Sequence, residues 1–294
     1  MRLTQYVAHP GLLVGKLRWQ ALYAGPRRDV TVDTWNGRLT FDSRDKLIGK
    51  YLYVHRAYER RYIEHALAVL EGDGWLTRGG TLLDVGANIG MICIALLRHG
   101  WFDRAIAFEP APANLRLLEH NVAHNGLTDR IARVPIALSS SDGEMELELS
   151  EYNSGDNRLR VNAAAGAWHE DRRATVRVPV RRLDDVLAER PDAPDVRLIW
   201  LDIQGHEGRF FEGADGTIAR GIPVVSEFWP YGILRSGTTR ESYMRIVTRL
   251  FTHVYVLSGD TIGRQPVSAI HSLFDTCAAP KAMREVVFVR EAGR

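Results

Sequence analysis

At 294 residues, 45% hydrophobic and 25% charged, the chain has the composition of an ordinary globular protein, enough for one large α/β domain or a domain with an appendage. Its formal net charge is +2, and its two cysteines, Cys93 and Cys277, point away from a disulfide framework, a zinc site or a secreted protein. The charge is uneven: residues 1–60 carry 11 basic and 5 acidic side chains, a front end suited to an anionic substrate or a membrane surface, although a solvated basic face explains it more simply.

No motif with interleaved aromatics accompanies these charges, so nucleic acid is not an expected partner. The stretch from Met1 to Arg18 is broken by His9-Pro10-Gly11 and Gly15-Lys16. It reads as neither a signal peptide nor a transmembrane segment, which leaves a cytoplasmic protein as the default expectation.

Leu12, Leu13, Val14, Leu17, Trp19 and Leu22 suggest a short helix capping a larger domain. Asp29 to Phe41 alternates around Asn36-Gly37, a strong hairpin signal. From Tyr53 to Leu70 the spacing of Ile63, Ala66, Leu67 and Leu70 predicts one helix. Thr81 to Val85 is an apolar run after two glycines and reads as a buried strand; Ile89 to His99 reads as a helix stopped by Gly100. Ala105–Phe108 is the next strand, Pro112–Asn125 a helix, and Ile131–Leu138 a third strand, with Ala137 at its end expected to border an adenine.

Glu144–Leu149 alternates as a half-exposed strand, and Glu151–Gly166 is a polar loop. Strands are further predicted over 175–180, 196–203, 222–228, 254–257 and 285–289, with helices over 183–188, 207–219 and 239–251. Strands alternating with helices imply an α/β fold built on a doubly wound, mostly parallel sheet. The expected division is an N-terminal extension of helix and β-hairpin over residues 1–55 and a Rossmann-like domain over residues 56–294.

The segment Asp84-Val85-Gly86-Ala87-Asn88-Ile89-Gly90 joins a strand to a helix through a glycine turn, the setting of a nucleotide-type cofactor. Asn88 stands where a dinucleotide fingerprint has its middle glycine, and no P-loop lysine follows. Asp84 at the strand end suits a cationic ligand better than a pyrophosphate. Glu109, 19 residues past Gly90, sits where a carboxylate would hold a ribose diol. A ribose joined to a cationic amino-acid end describes S-adenosyl-L-methionine. Asp202 and Glu227 also follow buried strands. Any one such acid is explained as a helix cap, but four together favour a site.

Leu83–Gly90, Phe108-Glu109-Pro110, the run Leu201-Asp202-Ile203-Gln204-Gly205-His206-Glu207 and Glu227 together resemble the FkbM family of methyltransferases, over about Tyr58 to Phe228. The resemblance implies a class I methyltransferase fold and a hydroxyl of a sugar or specialised metabolite as acceptor. It also implies that Tyr58-Glu59 precedes the cofactor strand, where Glu59 reaches the cofactor's amino group or the acceptor, and that the loop from Glu151 covers the site. Two positions depart from the family pattern: Trp200 stands for Lys and Gln204 for Glu.

Methyl transfer to an alcohol calls for a proton acceptor. His206 is the first candidate, oriented by a nearby carboxylate, with Asp202 the second and Glu227 alongside. A metal-free route is expected; a divalent cation held by Asp202, Glu227 and His206 is the variant weighed against it. Trp229-Pro230-Tyr231 offers an apolar wall for an acceptor ring. Two other functions fit the same pattern: a cofactor-binding partner subunit without catalysis, and an NAD-dependent oxidoreductase. Whether the chain forms a homo-oligomer is left open.

Overall fold

The computed structural model describes residues 10–190, 195–257 and 262–291; residues 1–9, part of the expected N-terminal extension, lie outside them. Three sheets are present among the described residues. The largest has eight strands. In chain order they are β3 (Thr81–Val85), β4 (Arg104–Phe108), β5 (Ile131–Val134), β10 (Val196–Leu201), β11 (Val224–Phe228), β12 (His253–Val256), β13 (Arg264–Pro266) and β14 (Arg284–Val289). Their spatial order is β13-β12-β14-β11-β10-β3-β4-β5, with the five from β11 to β5 parallel and β14 inserted antiparallel beside β11.

The strand order reverses between β3 and β10, which are neighbours. In such a sheet the crevice beyond the carboxyl ends of those two strands is where ligands bind. The sheet is buried on both faces, which explains its uninterrupted apolar runs. Leu82, Ala105, Trp200 and Val225 join one core cluster, while Leu83, Ile106, Ile199 and Val224 join another on the opposite face. Neighbours in sequence alternate between the two.

The first face is covered by α1 (Pro10–Ala24), α2 (Ile48–His55), α3 (Arg60–Gly72), α4 (Met91–Arg98) and α5 (Pro112–His124), together with the hairpin β1 (Asp29–Thr34) and β2 (Gly37–Asp42). Helix α4 is sandwiched between sheet and hairpin, and Met91 to Leu97 are all buried. The second face is covered by α6 (Leu183–Ala188), α7 (Glu207–Gly213), α8 (Asp215–Ile218), α9 (Pro230–Arg235), α10 (Arg240–Leu250) and α11 (Ile270–Thr276). A four-stranded sheet, ordered β6-β9-β7-β8, combines β6 (Ala137–Leu138), β7 (Gly143–Glu148), β8 (Arg158–Leu159) and β9 (Thr175–Arg181).

Five elements differ from the sequence expectation. The single helix over 53–70 is two helices, because Arg56 and Glu59 adopt left-handed φ values of 57° and 51°. The side chain of Asn36 in the hairpin loop fixes this break: its Oδ1 accepts from the Tyr58 amide at 2.7 Å and its Nδ2 donates to the Tyr58 carbonyl at 3.1 Å. The strand over 131–138 divides at Pro135, which has no N–H to continue a ladder, so β5 closes one sheet and β6 opens another. The helix over 207–219 divides at Ala214. Helices α9 and α11 are short and lacked a periodic signal.

Candidate active site

The turn after β3 is shaped by three positive-φ residues, Gly86 (86°), Asn88 (51°) and Gly90 (92°). A Cβ on Gly86 would overlap the carbonyl oxygen of Asp202, so only glycine lets the ends of β3 and β10 approach this closely. Gly90 does a different job: a Cβ there would meet Ile94 and Leu118 at 2.8 Å, which makes it a packing glycine at the start of α4 and not part of the cavity wall.

Beyond these strand ends lies a cavity of about 540 Å³. Every other candidate lines it: Glu59, Asp84, Gly86, Ala87, Asn88, Glu109, Ala137, Asp202, His206 and Glu227. Helix α4 begins at its floor. Asp84, 1% exposed, accepts from the Cys93 amide at 3.0 Å, and burial raises its pKa to about 6. Its carboxylate therefore serves the first turn of α4 as well as facing the cavity.

Glu109 accepts two backbone amides, Asn88 N to Oε2 at 2.8 Å and Ala111 N to Oε1 at 2.8 Å. Each oxygen keeps a second lone pair, so the carboxylate is held rigid with acceptor capacity left for a vicinal diol. Burial raises its pKa to about 7 in spite of these amides. The polar loop folds over this turn. Asn153, Ser154, Gly155 and Asn157 line the cavity, and Ser154 is tied to Asp45 through its amide (3.0 Å) and hydroxyl (2.6 Å).

After β10 the chain makes a tight turn through Gln204 (φ 56°) and Gly205 (φ 100°), where a Cβ on Gly205 would overlap the backbone of Gly232 in α9. Glu207 fastens this turn by accepting from the Gly205 and Ile203 amides at 3.1 and 3.3 Å. That leaves Gln204 over the cavity. Its Nε2 donates to Asp202 Oδ1 at 2.7 Å and to Glu227 Oε2 at 3.3 Å, bridging the acids that end β10 and β11. The departure at Gln204 thus places a neutral donor between two carboxylates. Trp200, the other departure, is 4% exposed and packs beside Asp84 in the adjoining strand.

The acids on this side of the cavity raise one another. Burial and then Asp202 lift Glu59 to about 8; burial, chiefly, holds Asp202 at about 6, with its Gln204 bond opposing. Glu227 is raised well above the usual carboxylate range by burial, Asp202 and Glu285. Glu285, which sequence reasoning missed, faces Glu227 directly across the β11–β14 ladder and lines the same cavity. Nothing local in the sequence marks it, because its neighbour lies in a strand distant along the chain.

The carboxylate contact expected for His206 is not formed. The partner of His206 is the hydroxyl of Ser139 on its Nε2, at 2.9 Å, and not a carboxylate. Its Nδ1 is buried without a partner, and burial lowers its pKa to about 4. Asp202, the residue expected to aim it, bonds to Gln204 instead. Nor do Asp202, Glu227 and His206 form a metal-binding trio: among the described residues no group of three acid, His or Cys side chains is arranged to hold a metal ion. Trp229 and Tyr231 do not line this cavity. Trp229 donates to the Pro280 carbonyl at 2.7 Å, and Tyr231 binds Glu170 at 2.7 Å and the Ala167 amide at 2.8 Å, clasping the segment that leads back from the polar loop.

The residues present fit S-adenosyl-L-methionine. A rigid carboxylate stands ready for a diol, positive-φ turns bring backbone close to the cavity, and buried acids lie where an ammonium and a sulfonium can be received. Comparison with known proteins agrees. A profile described as the Methyltransferase FkbM domain matches residues 84–255, more than half of the chain. Methyltransferase sdnD from Sordaria araneosa is 27% identical over 220 residues, covering 67% of this chain and 81% of that protein. 2-O-methyltransferase NoeI from Sinorhizobium fredii is 24% identical over 158 residues, covering 50% of this chain and 62% of that one. The crystal structure of methyltransferase FkbM from Methylobacillus flagellatus KT aligns with a TM-score of 0.43 at 16% identity, over 95% of this chain and 59% of its own. With its glycine turn, Glu109 and the Asp202–Glu207 run all at the carboxyl ends of one sheet, the chain belongs to the FkbM family of S-adenosyl-L-methionine-dependent methyltransferases.

Proposed function

We propose that the protein methylates a hydroxyl oxygen of a small-molecule acceptor, a sugar or specialised metabolite, with Asp202 as the proton acceptor. The observation that carries this reading is the Asp202–Gln204–Glu227 bridge in the same cavity as Asn88 and Glu109. The cofactor, when bound, supplies an electrophilic methyl group on a sulfonium. Glu109, Asn88 and Ala137 hold its nucleoside end, and Asp84 and Glu59 face its charged end. The likeness to NoeI, a 2-O-methyltransferase, supports a hydroxyl acceptor.

Asp202 suits the task better than His206. Its oxygen Oδ1 is fixed by Gln204, and a carboxylate with a pKa near 6 is ionised at neutral pH yet basic enough to take a proton from an attacking hydroxyl. The His206 ring is committed to Ser139 and is a weaker base. Glu227, raised well above the usual carboxylate range by burial and then Asp202, stands beside Asp202 where it can orient the acceptor oxygen. The family assignment sets aside the dehydrogenase and the non-catalytic subunit.

The test is Asp202→Asn beside wild type, with calorimetric titration of S-adenosylhomocysteine and a product-release assay over a panel of hydroxylated acceptors. Turnover should fall by about 10²–10⁴-fold with cofactor-product binding retained. Turnover surviving within about tenfold in the variant would remove Asp202 from the role. An amine turned over by the wild type in preference to every alcohol would overturn the hydroxyl reading.

A further inference from the structure

Ten large apolar side chains are exposed among the described residues, and six of them lie between residues 13 and 62: Leu13, Val14, Leu17, Leu47, Tyr51 and Tyr62. Helix α1 is apolar on both sides. Leu12, Trp19 and Leu22 turn into the core, while Leu13, Val14 and Leu17 face outward, Leu17 with 58% of its surface exposed. A helix apolar all round is normally covered on every side, and here one side has no cover among the described residues.

The helix that carries this stripe packs on the helix that leads to the mouth of the active-site cavity. Helix α1 lies against α2, with Gly15 facing Val54. Burial, then Lys16 of α1 and Lys50 of α2, lowers the pKa of the His55 ring in α2. Tyr51 stacks on that ring at 4.3 Å and meets the edge of Tyr58, a cavity residue, at 5.9 Å. Leu47 and Tyr62 are both exposed and part of the cavity rim.

The acids of the N-terminal 60 residues are mostly spent on other contacts. Four of the five acids in residues 1–60 are engaged elsewhere: Asp29 with Arg116, Asp42 with Arg27, Asp45 with Ser154, and Glu59 in the cavity. Arg18 and Lys50, both exposed, belong to the helices that carry the apolar side chains.

We propose that the α1–α2 surface docks on an anionic lipid membrane, which places the cavity mouth at the interface. Leucines and tyrosines enter the headgroup boundary while basic side chains reach the lipid phosphates, the arrangement of an interfacial helix and not of a spanning one. No helix among the described residues is long and apolar enough to cross a membrane. A second copy is the weaker occupant, because a two-fold interface would set these basic residues against themselves. The surface does not depend on the identity of the acceptor or of the base.

The test is co-sedimentation of the full chain with vesicles of phosphatidylcholine alone and of phosphatidylcholine mixed with phosphatidylglycerol. Binding to the anionic vesicles should be about tenfold tighter or more and should weaken as salt rises. Leu13→Glu with Leu17→Glu should abolish it, and Lys50→Glu should weaken it, with S-adenosylhomocysteine binding unchanged as proof of folding. Equal affinity for both vesicle types, or no sedimentation with either, would overturn the proposal. So would a dimer, seen by light scattering, that Leu17→Glu disperses, since the surface would then belong to a second copy.

Discussion

Gln204 shows how one side chain sets the charge state of a site. Its amide spends both hydrogens on Asp202 and Glu227, so the two carboxylates stand close together with a donor between them. Gln204→Glu would replace that donor with another carboxylate beside Asp202; two unit charges about 4 Å apart repel by about 4 kcal/mol at an effective dielectric of 20. Asp202 would then hold its proton to higher pH. Since Asp202 must be ionised to accept a proton, kcat/KM of the wild type should rise with pH through about 6. In Gln204→Glu that limb should move upward by about one pH unit or more, with the affinity for S-adenosylhomocysteine little changed. A superimposable pH profile would show that Gln204 does not tune the base. At this scale the acids Asp84, Glu109, Asp202 and Glu227 were legible, because carboxylates after buried strands are costly without a use. Ser139 on His206 and Glu285 opposite Glu227 were not, since each contact depends on a register between distant segments.

The break between α2 and α3 shows the same limit for elements. Periodicity runs through residues 53–70 without interruption, yet the chain leaves the helical region at Arg56 and Glu59, and that turn delivers Tyr58 and Glu59 to the cavity. What holds the turn is Asn36, 22 residues earlier, which is fully buried and also donates to the Met91 carbonyl at 3.2 Å. Asn36→Ala should cost about 1–3 kcal/mol, because the Tyr58 amide and carbonyl lose their partner in a buried setting. Chemical denaturation reads that loss. The variant should also raise KM through the displaced Glu59, whereas destabilisation with unaltered KM would make Asn36 a fold clamp alone. The buried strands were readable from their two-sided apolar runs, and the break at Pro135 follows from the missing N–H of proline. The short helices α9 and α11 carry no such signature, being held by packing under the second face of the sheet.

Across the whole molecule, the buried acids tie stability to pH. Folded pKa values near 6 for Asp84 and Asp202, near 7 for Glu109 and Glu207 and near 8 for Glu59 all lie above those of the unfolded chain. Each contributes stability that is full below the unfolded pKa and is lost as pH rises through the folded value. His206, lowered to about 4 from 6.5, works in the opposite sense, but only as pH falls below 6.5. The Tm of the ligand-free protein should therefore fall by several degrees from pH 6.5 to about 8.5, as read by differential scanning calorimetry. A flat or rising profile over that window would mean that these acids are ionised and paired in the native state.

Chain chemistry alone determined the alternation of strands and helices, the glycine turn that admits a cofactor and the acids that end four strands. Those follow from local rules: period, burial on two faces, and the backbone freedom of glycine. Tertiary structure alone decided which strand ends share one crevice, that Glu285 joins Glu227, that His206 meets Ser139, and that Gln204 spans two carboxylates. Each of those depends on strand order and register, quantities set by the packing of two faces against eleven helices among the described residues and not by any single stretch of sequence.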